Sequence, residues 1–506
     1  MRNAMYRHLS LVAALSLAMP AGAAAQVALI KAVKAADRPA VTSLLRAGAD
    51  VNAAEADGTT ALYWAALKND IGVGAALVRA GAQVKAASRY GVTPLQVACL
   101  NGNASFVELL LKAGADADAG TPGGETALMI ASRGGAADLV NLLLAHGADP
   151  DATESLRGQT ALMWAAGEGH SEAIKALIER GADVGARSHA GWTSLLFAVR
   201  EGQSDAVQTL LHAGADVNDA LPGNTGGARR RPEGAPGGAD DPRGLSALHL
   251  AVASRHYDLA ALLLEKGADP NAAGPGWTAL HHLTWVRKPG TGTNGPPPRG
   301  SGGLDSLELV RRLANAGADL NARVTKKPSA GTTALNFVGG TAFFLAARTA
   351  DVETMRLLAD LGADPTLTNE DGTTPLMAAA GAGTHSPGED AGLEPEALEA
   401  VMLALALGND VNVVDKNGNT AMHGAAYKQL PSVVRFLNEN GARVEVWNRQ
   451  NSSGWTPLRI ATGVHRGMNF RFHVPTAEAL RSIMTAAGVS TALEPEKVVS
   501  GATPTK

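Results

Sequence analysis

The chain repeats one pattern of apolar and polar positions. A Thr opens a short run rich in Ala and Leu, a Gly-containing turn follows, and a second run carries apolar residues at helical spacing. In one unit, Thr160-Ala161-Leu162-Met163-Trp164-Ala165-Ala166 leads to the turn Gly167-Glu168-Gly169, and Ser171 to Arg180 then sets Ile174, Leu177 and Ile178 on one face. Each unit thus predicts two short helices. The Thr hydroxyl is placed to accept from the unpaired N–H groups of the first helix. Pro after Thr, as in Thr93-Pro94, Thr374-Pro375 and Thr456-Pro457, suits the first helical turn. Gly181 ends the second helix in the left-handed conformation that Gly adopts without steric cost. Ala182-Asp183-Val184 then leads through a polar hairpin to Gly191 and the next Thr193.

The spacing is regular. Gly-Ala recurs at Gly48, Gly81, Gly114, Gly147, Gly181 and Gly214, in steps of 33, 33, 33, 34 and 33 residues. It returns at Gly267, Gly317, Gly362 and Gly441, while Gly408 and Gly488 fill the same place with Asn409 and Val489 after them. The later steps of 53, 50, 45, 46, 33 and 47 residues are the same unit with insertions. A single core stops growing beyond roughly 250–300 residues. A chain of 506 residues with this self-similarity is therefore expected to be a solenoid, each unit touching only its neighbours. The expectation is an all-α array of about 12 repeats.

The internal grammar resembles the ankyrin repeat. The signature appears almost literally in Asp57-Gly58-Thr59-Thr60-Ala61-Leu62, and in Leu262-Leu263 with Gly267-Ala268-Asp269-Pro270-Asn271. The resemblance covers about residues 27–488. It implies helix-turn-helix units with a projecting β-hairpin between them. The signature His stands at His249, His281 and His423, and becomes Tyr63, Gln96, Met129, Met163, Leu196, Phe344 or Arg459 elsewhere. Those losses are expected to weaken some bonding between hairpins.

The organisation reads as a signal peptide at 1–25, regular repeats with an N-terminal cap at 26–218, a disordered insert at 219–243, repeats with insertions and a C-terminal cap at 244–488, and a polar tail at 489–506. The leader has Arg2, Arg7 and His8 ahead of the apolar stretch Leu9 to Met19, broken by Pro20, with Ala23-Ala24-Ala25 as a cleavage site before Gln26. The apolar run is shorter than the about 20 residues that a spanning helix needs. Export, to a periplasm or outside the cell, is the expectation. Lys31, Lys34, Asp37 and Arg38 read as solvating charges of the N-terminal cap. Further insertions fall at 286–303, 323–339, 381–394 and 464–475. The last contains Asn469-Phe470-Arg471-Phe472 and reads as a lip beside a binding site, because its aromatics are costly to leave in water.

Composition changes the picture little. Hydrophobic residues make up 45% and aromatics only 4%, so the core is built from Ala, Leu and Val, as close helix packing requires. The formal charge of -4 gives no basic footprint for nucleic acid. The lone thiol, Cys99, replaces an Ala of other repeats and reads as a small buried residue. No nucleophile elbow, Walker loop, zinc-protease motif or Cys pair at metal-ligand spacing is present. His281 and His282 are adjacent on a helix and point about 100° apart. His465 and His473 flank a loop with nothing to complete a site. Arg229-Arg230-Arg231 reads as a solvated surface. No catalytic residue, metal or cofactor is expected, and the chain reads as non-enzymatic.

Trp64 and Trp164 occupy a slot that is Val97, Ile130, Phe197, Leu250 and Leu345 elsewhere, and so read as core rather than contacts. Trp192, Trp277 and Trp455 sit just before the Thr or its neighbour, as anchors for a partner or as packing against the next hairpin. The resemblance further implies protein binding along the concave face, through hairpin tips and the ends of first helices. The matching positions include Arg89, Tyr90, Arg133, Arg157, Glu168, His189, Arg200, Glu201, Tyr427 and Lys428. The expected function is a monomeric, non-enzymatic scaffold that binds protein partners outside the cytoplasm. An inhibitor, immunity protein or host-directed effector is the narrower alternative. An enzyme with a site built from the second-half insertions, where a specialised site is first sought, is the remote one.

Overall fold

The computed structural model describes residues 21–223, 244–288, 300–326, 333–384, 391–466 and 469–493, and their side chains except at 21–27 and 465–471. Most of the leader, Arg229–Arg231, and most of the inserts at 219–243 and 286–303 lie outside these spans. The chain divides into two compact units, residues up to His189 and residues from Ala190.

The first unit is five helix pairs. They are α1 (Ala21–Lys34) with α2 (Arg38–Arg46), α3 (Ala61–Leu67) with α4 (Ile71–Arg79), and α5 (Pro94–Leu100) with α6 (Ala104–Lys112). Then come α7 (Ala127–Arg133) with α8 (Ala137–Ala145) and α9 (Ala161–Glu168) with α10 (Ser171–Glu179).

The second unit continues the same grammar. It holds α11 (Ser194–Arg200) with α12 (Ser204–His212), α13 (Ala247–Ala253) with α14 (Tyr257–Glu265), and α15 (Ala279–Arg287) with α16 (Ser306–Asn315). Next are α17 (Ala342–Arg348) with α18 (Val352–Asp360), α19 (Pro375–Ala379) with α20 (Glu394–Ala406), and α21 (Ala421–Lys428) with α22 (Pro431–Glu439). A single turn, α23 (Val444–Trp447), precedes the last pair, α24 (Pro457–Thr462) and α25 (Val474–Ala486). Between these two, the 464–475 insertion forms an antiparallel ribbon of β1 (Val464–Arg466) and β2 (Asn469–Arg471). Phe472 beside it is 60% exposed.

The caps are as the sequence predicts. Thr60, Thr93, Thr126, Thr160, Thr193, Thr341, Thr374 and Thr456 each accept from the N–H three residues on. Gly181 has φ +93°, where any side chain is strained. The residue four before the terminal Gly is a fully buried Leu at Leu77, Leu110, Leu143 and Leu177 in the first unit, and at Leu210, Leu263, Leu313, Leu358 and Leu437 in the second. Ala404 and Met484 are buried in the same place, and Leu44 of the first repeat is half-buried. Each buried Leu contributes roughly 1.5–3 kcal/mol. Cys99 is buried in the core, where loss of water pushes its thiol up to about 12.

The connections are narrow fingers, each closed by a pair of backbone bonds: Ser88 N–H to Val92 O at 3.0 Å with Gly91 N–H to Ser88 O at 2.8 Å, and Asn451 N–H to Trp455 O at 3.0 Å with Gly454 N–H to Asn451 O at 2.8 Å. Two arms of two residues are too short to build a ladder. Among the described residues, isolated bridges form only at Ala54–Thr60 and Ala220–Ser246. Successive fingers are instead bonded tip to tip, Arg89 N–H to Asp57 O at 2.7 Å and His189 N–H to Arg157 O at 2.8 Å.

Side chains of the signature add to this bonding. His249, His281 and His423 are buried, and each Nδ1 meets the hydroxyl of its capping Ser246, Thr278 or Thr420. Each Nε2 meets a carbonyl of the following finger or its approach, at Trp277, Ala322 or Arg449. Gln96 does the same work with an amide, accepting from Thr93 N–H and donating to the carbonyls of Ala119 and Glu125. At this position the expected weakening does not occur.

Candidate interaction surface

Three positions of each repeat meet on one face: the residue before the capping residue, and the fourth and seventh residues after it. In the second unit, Trp192 stacks on Phe197 at 5.4 Å, with the Arg200 guanidinium 4.8 Å from one ring and 5.3 Å from the other. Trp277 meets Trp285 edge-on at 5.3 Å, and His282 meets Trp285 at 6.0 Å. In the first unit, Arg133 reaches forward over the ring of Trp164 at 4.7 Å and lies 3.7 Å from Glu125. This is the inner face of the first helices.

The first unit leaves much of that face open. Leu67 and Leu100 are 41% and 66% exposed, and Ile130, Trp64 and Trp164 are half-buried. Lys34 stands over Trp64 at 4.2 Å and pairs with Glu55 at 2.6 Å, while Trp64 Nε1 donates to Glu55 at 2.8 Å. The Lys34 ammonium beside it holds the Glu55 carboxyl below its ordinary range. Lys34 is thus a contact residue of this face rather than only a solvating charge. Arg38 likewise pairs with Asp70 at 2.9 Å, and Asp37 caps α2.

The finger tips border this face. Arg89 lies over Tyr90 at 4.7 Å, and Tyr90 is 61% exposed. Leu156 is 76% exposed beside exposed Arg157, and His189 is exposed on the next finger. The His189 ring rests on Gly158, where a Cβ would come within 2.5 Å of it. Exposed Lys68 and Arg133 add positive charge on the inner helices, and Glu168 is exposed at the end of α9. Aromatic, aliphatic and Arg side chains set among polar ones are the composition of a protein interface.

The second unit presents the expected residues differently. Trp192 and Trp277 are 6% and 4% exposed and meet Phe197, Arg200 and Trp285 of their own first helices rather than standing in solvent. Tyr427 and Lys428 are buried, not surface residues. Asn451 Nδ2 donates to the Tyr427 hydroxyl at 2.8 Å, and the Lys428 ammonium donates to Ala391 O at 2.7 Å. Trp455 is half-buried, and Arg200 pairs with exposed Glu201 at 2.7 Å. Part of this face is also covered by the chain itself: Phe337, from the insertion before α17, lies 6.4 Å from Trp285, with Arg348 5.1 Å from its ring.

Two readings of the sequence change here. Trp64 and Trp164 are not core, and Leu67, Leu100 and Leu156 join the surface. The signal was available at the seventh position, which runs Leu67, Leu100, Arg133, Gly167 and Arg200. A position that changes polarity from repeat to repeat faces solvent. His281 and His282 are both buried, and His473 Nδ1 bonds the Thr476 hydroxyl at 2.8 Å. The His465 side chain lies outside the described residues. Among the described residues no group of three or more His, Cys, Asp or Glu side chains converges to hold a metal ion. No helix among them is long and apolar enough to cross a membrane.

Comparison with known proteins agrees with this architecture. A family model described as ankyrin repeats (three copies) matches residues 29–121, 76–154, 128–220 and 393–468, and the single-repeat model matches 243–274. The mouse B-cell lymphoma 3 protein homolog is 30% identical over 217 residues, 42% of this chain and 39% of its own length. The Arabidopsis thaliana E3 ubiquitin-protein ligase KEG is 28% identical over 258 residues, 44% of this chain and 14% of the ligase. A putative ankyrin repeat protein of fowlpox virus, FPV219, is 42% identical over 50 residues, 10% of this chain and 12% of its own. The chain therefore spans less than half the length of each of these relatives.

Proposed function

Because the chain belongs to the ankyrin-repeat family, we propose that it is a protein-binding scaffold whose principal contact surface is the inner face and finger tips of the first unit. The observation that carries this reading is the exposure of Leu67 and Leu100 next to the Arg133–Trp164 stack. Apolar side chains left in water beside preorganised Arg and Trp groups bury favourably against a partner. Lys68, Arg89, Arg133 and Arg157 bias that partner toward acidic surface.

The scaffold binds rather than transforms, and it acts outside the cytoplasm. The leader-like stretch from Arg2 to Ala25 supports export. The described core residues of α1, including Leu29, Ile30 and Val33, lie after the cleavage site, so its removal leaves that core in place. N-terminal sequencing of the mature protein tests this, and a start at Met1 overturns it.

The surface is tested with a photoreactive residue at Leu100 and, in a separate variant, at exposed Lys175 on α10. Cross-linking to a protein partner is expected from Leu100, and is expected to disappear when Leu67→Glu and Arg133→Glu are added. Equal yield from Lys175, or yield unchanged by the two substitutions, overturns the assignment.

A further inference from the structure

One row of side chains on the inner face of the first unit has a bracketed pattern. The seventh position steps through Lys34, Leu67, Leu100 and Arg133, one residue per repeat, and ends at Gly167, which has no side chain. Lys34 stands over Trp64 of the next repeat at 4.2 Å, and Arg133 over Trp164 of the next at 4.7 Å. Two exposed apolar steps are thus enclosed by two cation–tryptophan pairs. The pairs differ in one respect. Lys34 is matched by Glu55 at 2.6 Å, and that carboxylate also accepts from Trp64 Nε1. Arg133 lies 3.7 Å from Glu125, too long for a charge-assisted hydrogen bond, and nearly half of its side chain is exposed. The Trp164 Nε1 meets no acceptor among the described residues. The Arg133 end therefore lacks the carboxylate that the Lys34 end already has.

The spacing of the row selects the shape of what can lie along it. Packed helices stand about 8–10 Å apart. Buried Ala65, Ala66, Ala98 and Ala131 let these first helices approach closely. A polyproline II segment advances about 9.3 Å per turn of three residues, so it returns a side chain to the row once per repeat. An α-helix does so only every seventh residue, about 10.5 Å, and overshoots the row by about 1–5 Å between Leu67 and Arg133. A β-strand presents a side chain to one face about every 6.7 Å and matches no single step.

We infer that the row from Leu67 to Arg133 binds a polyproline II segment of a protein partner. Its apolar side chains, three residues apart, lie over Leu67 and Leu100, and an acidic side chain three residues further meets Arg133. Such a segment has no internal hydrogen bonds to break and little freedom to lose, and grooves flanked by aromatic rings suit it. The acid supplies the missing carboxylate, and a guanidinium already held by the Trp164 ring can bind it through two parallel bonds. This register rests on the inner face being the contact surface, and adds to it the shape of the partner and the order of its side chains.

The test is a random twelve-residue peptide library displayed on phage, panned on the full chain and counter-selected on its Leu100→Glu variant. Enriched peptides are expected to carry two large apolar residues three positions apart, Pro beside them, and Asp or Glu three positions beyond one of them. In anisotropy titrations of one such labelled peptide, moving its second apolar residue by one position should weaken binding at least tenfold. Arg133→Glu should weaken it as much, and a peptide with Lys in place of its acid should recover most of that loss. Circular dichroism checks each fold, and Leu100→Ser replaces Leu100→Glu should the latter be unfolded. Apolar spacings of two, four or seven among the enriched peptides, no enrichment over the variant, or no recovery by the Lys peptide overturns the inference. Cross-linking from Leu100 judges the surface separately, so the surface can stand where the register fails.

Discussion

The side chain of Asn271 accepts a hydrogen bond from the backbone N–H of Asp319, one repeat further on, at 2.7 Å. Its Nδ2 also donates to Gly317 O at 2.9 Å. Asn412 makes the same pair of bonds to Arg443 N–H and Gly441 O. Asp118 has no N–H donor in its side chain and makes one of them, to Asp149 N–H at 2.7 Å. Each such bond contributes about 0.5–1.5 kcal/mol. Asn271→Ala removes two neutral bonds and should therefore cost about 1–2 kcal/mol, read as local opening by hydrogen exchange. No loss of protection would show that the loop geometry, not the side chain, joins the repeats.

Acid should weaken the second unit before the first. Burial holds His249, His281 and His423 down to about 4, against an ordinary 6.5, opposed only in part by their bonds to backbone carbonyls. His282 is held lower still, at about 3, by burial. Between pH 6.5 and 4 the unfolded chain takes up these protons and the folded chain does not. Stability is thus complete above about pH 6.5 and falls as pH drops toward 4, by about 2 kcal/mol per ring at pH 5. Hydrogen exchange at pH 7 and pH 5 should show protection lost around residues 249–423 while α3 to α8 change little. Uniform loss across both units would sink this account.

Gln96 suggests how to remove that sensitivity. It occupies the signature-His position and makes both kinds of bond with an amide that does not titrate. His281→Gln is therefore expected to keep stability at pH 7 within about 1 kcal/mol and to flatten the acid response by one ring's share. Urea titrations at the two pH values check it. A variant that is weak at pH 7 yet equally acid-sensitive would contradict the shared role.

Cys99 should be silent in the folded protein. It is buried and its thiol is pushed up to about 12, so almost no thiolate is present at neutral pH. A thiol reagent is expected to react only as the first unit opens, so its rate should report unfolding. Reaction within seconds under native conditions would falsify the burial.

The repeats were legible because their physics is local. Thr caps, Gly ends and buried Leu positions each depend on residues within one turn or one helix, and they fall where the pattern puts them. The surface was legible in part. Arg89, Tyr90, Arg133, Arg157 and His189 are exposed, since tip and helix-end positions follow from register. Trp64 and Trp164 could have been placed from the seventh position beside them, whereas the misreadings at Tyr427 and Lys428 share another cause: burial there depends on what a distant segment does. Tyr427 is covered through Asn451, and Lys428 through Ala391 of an insertion. No periodicity encodes such partners.

Arg287 shows the energetic side of these long-range contacts. At the end of α15, just before an insertion, it is nearly buried and pairs with fully buried Asp351 at 2.7 Å, 64 positions away. Its other donors reach the Ser306 hydroxyl and Glu353. Asp351 is also the N-cap of α18 and accepts from the Thr354 hydroxyl at 2.8 Å. Removing the guanidinium leaves that carboxylate buried with only neutral donors, so Arg287→Ala should cost about 3–5 kcal/mol. Arg287→Lys recovers only part of this, because one ammonium cannot reach the three acceptors that the planar guanidinium serves. Asp351→Asn keeps the cap and removes the buried charge. In that background Arg287→Ala should cost much less, and the difference across the four proteins in urea unfolding is the coupling energy. A coupling below about 0.5 kcal/mol would mean that the pair is solvated like a surface bridge and that the insertion is held by its backbone alone.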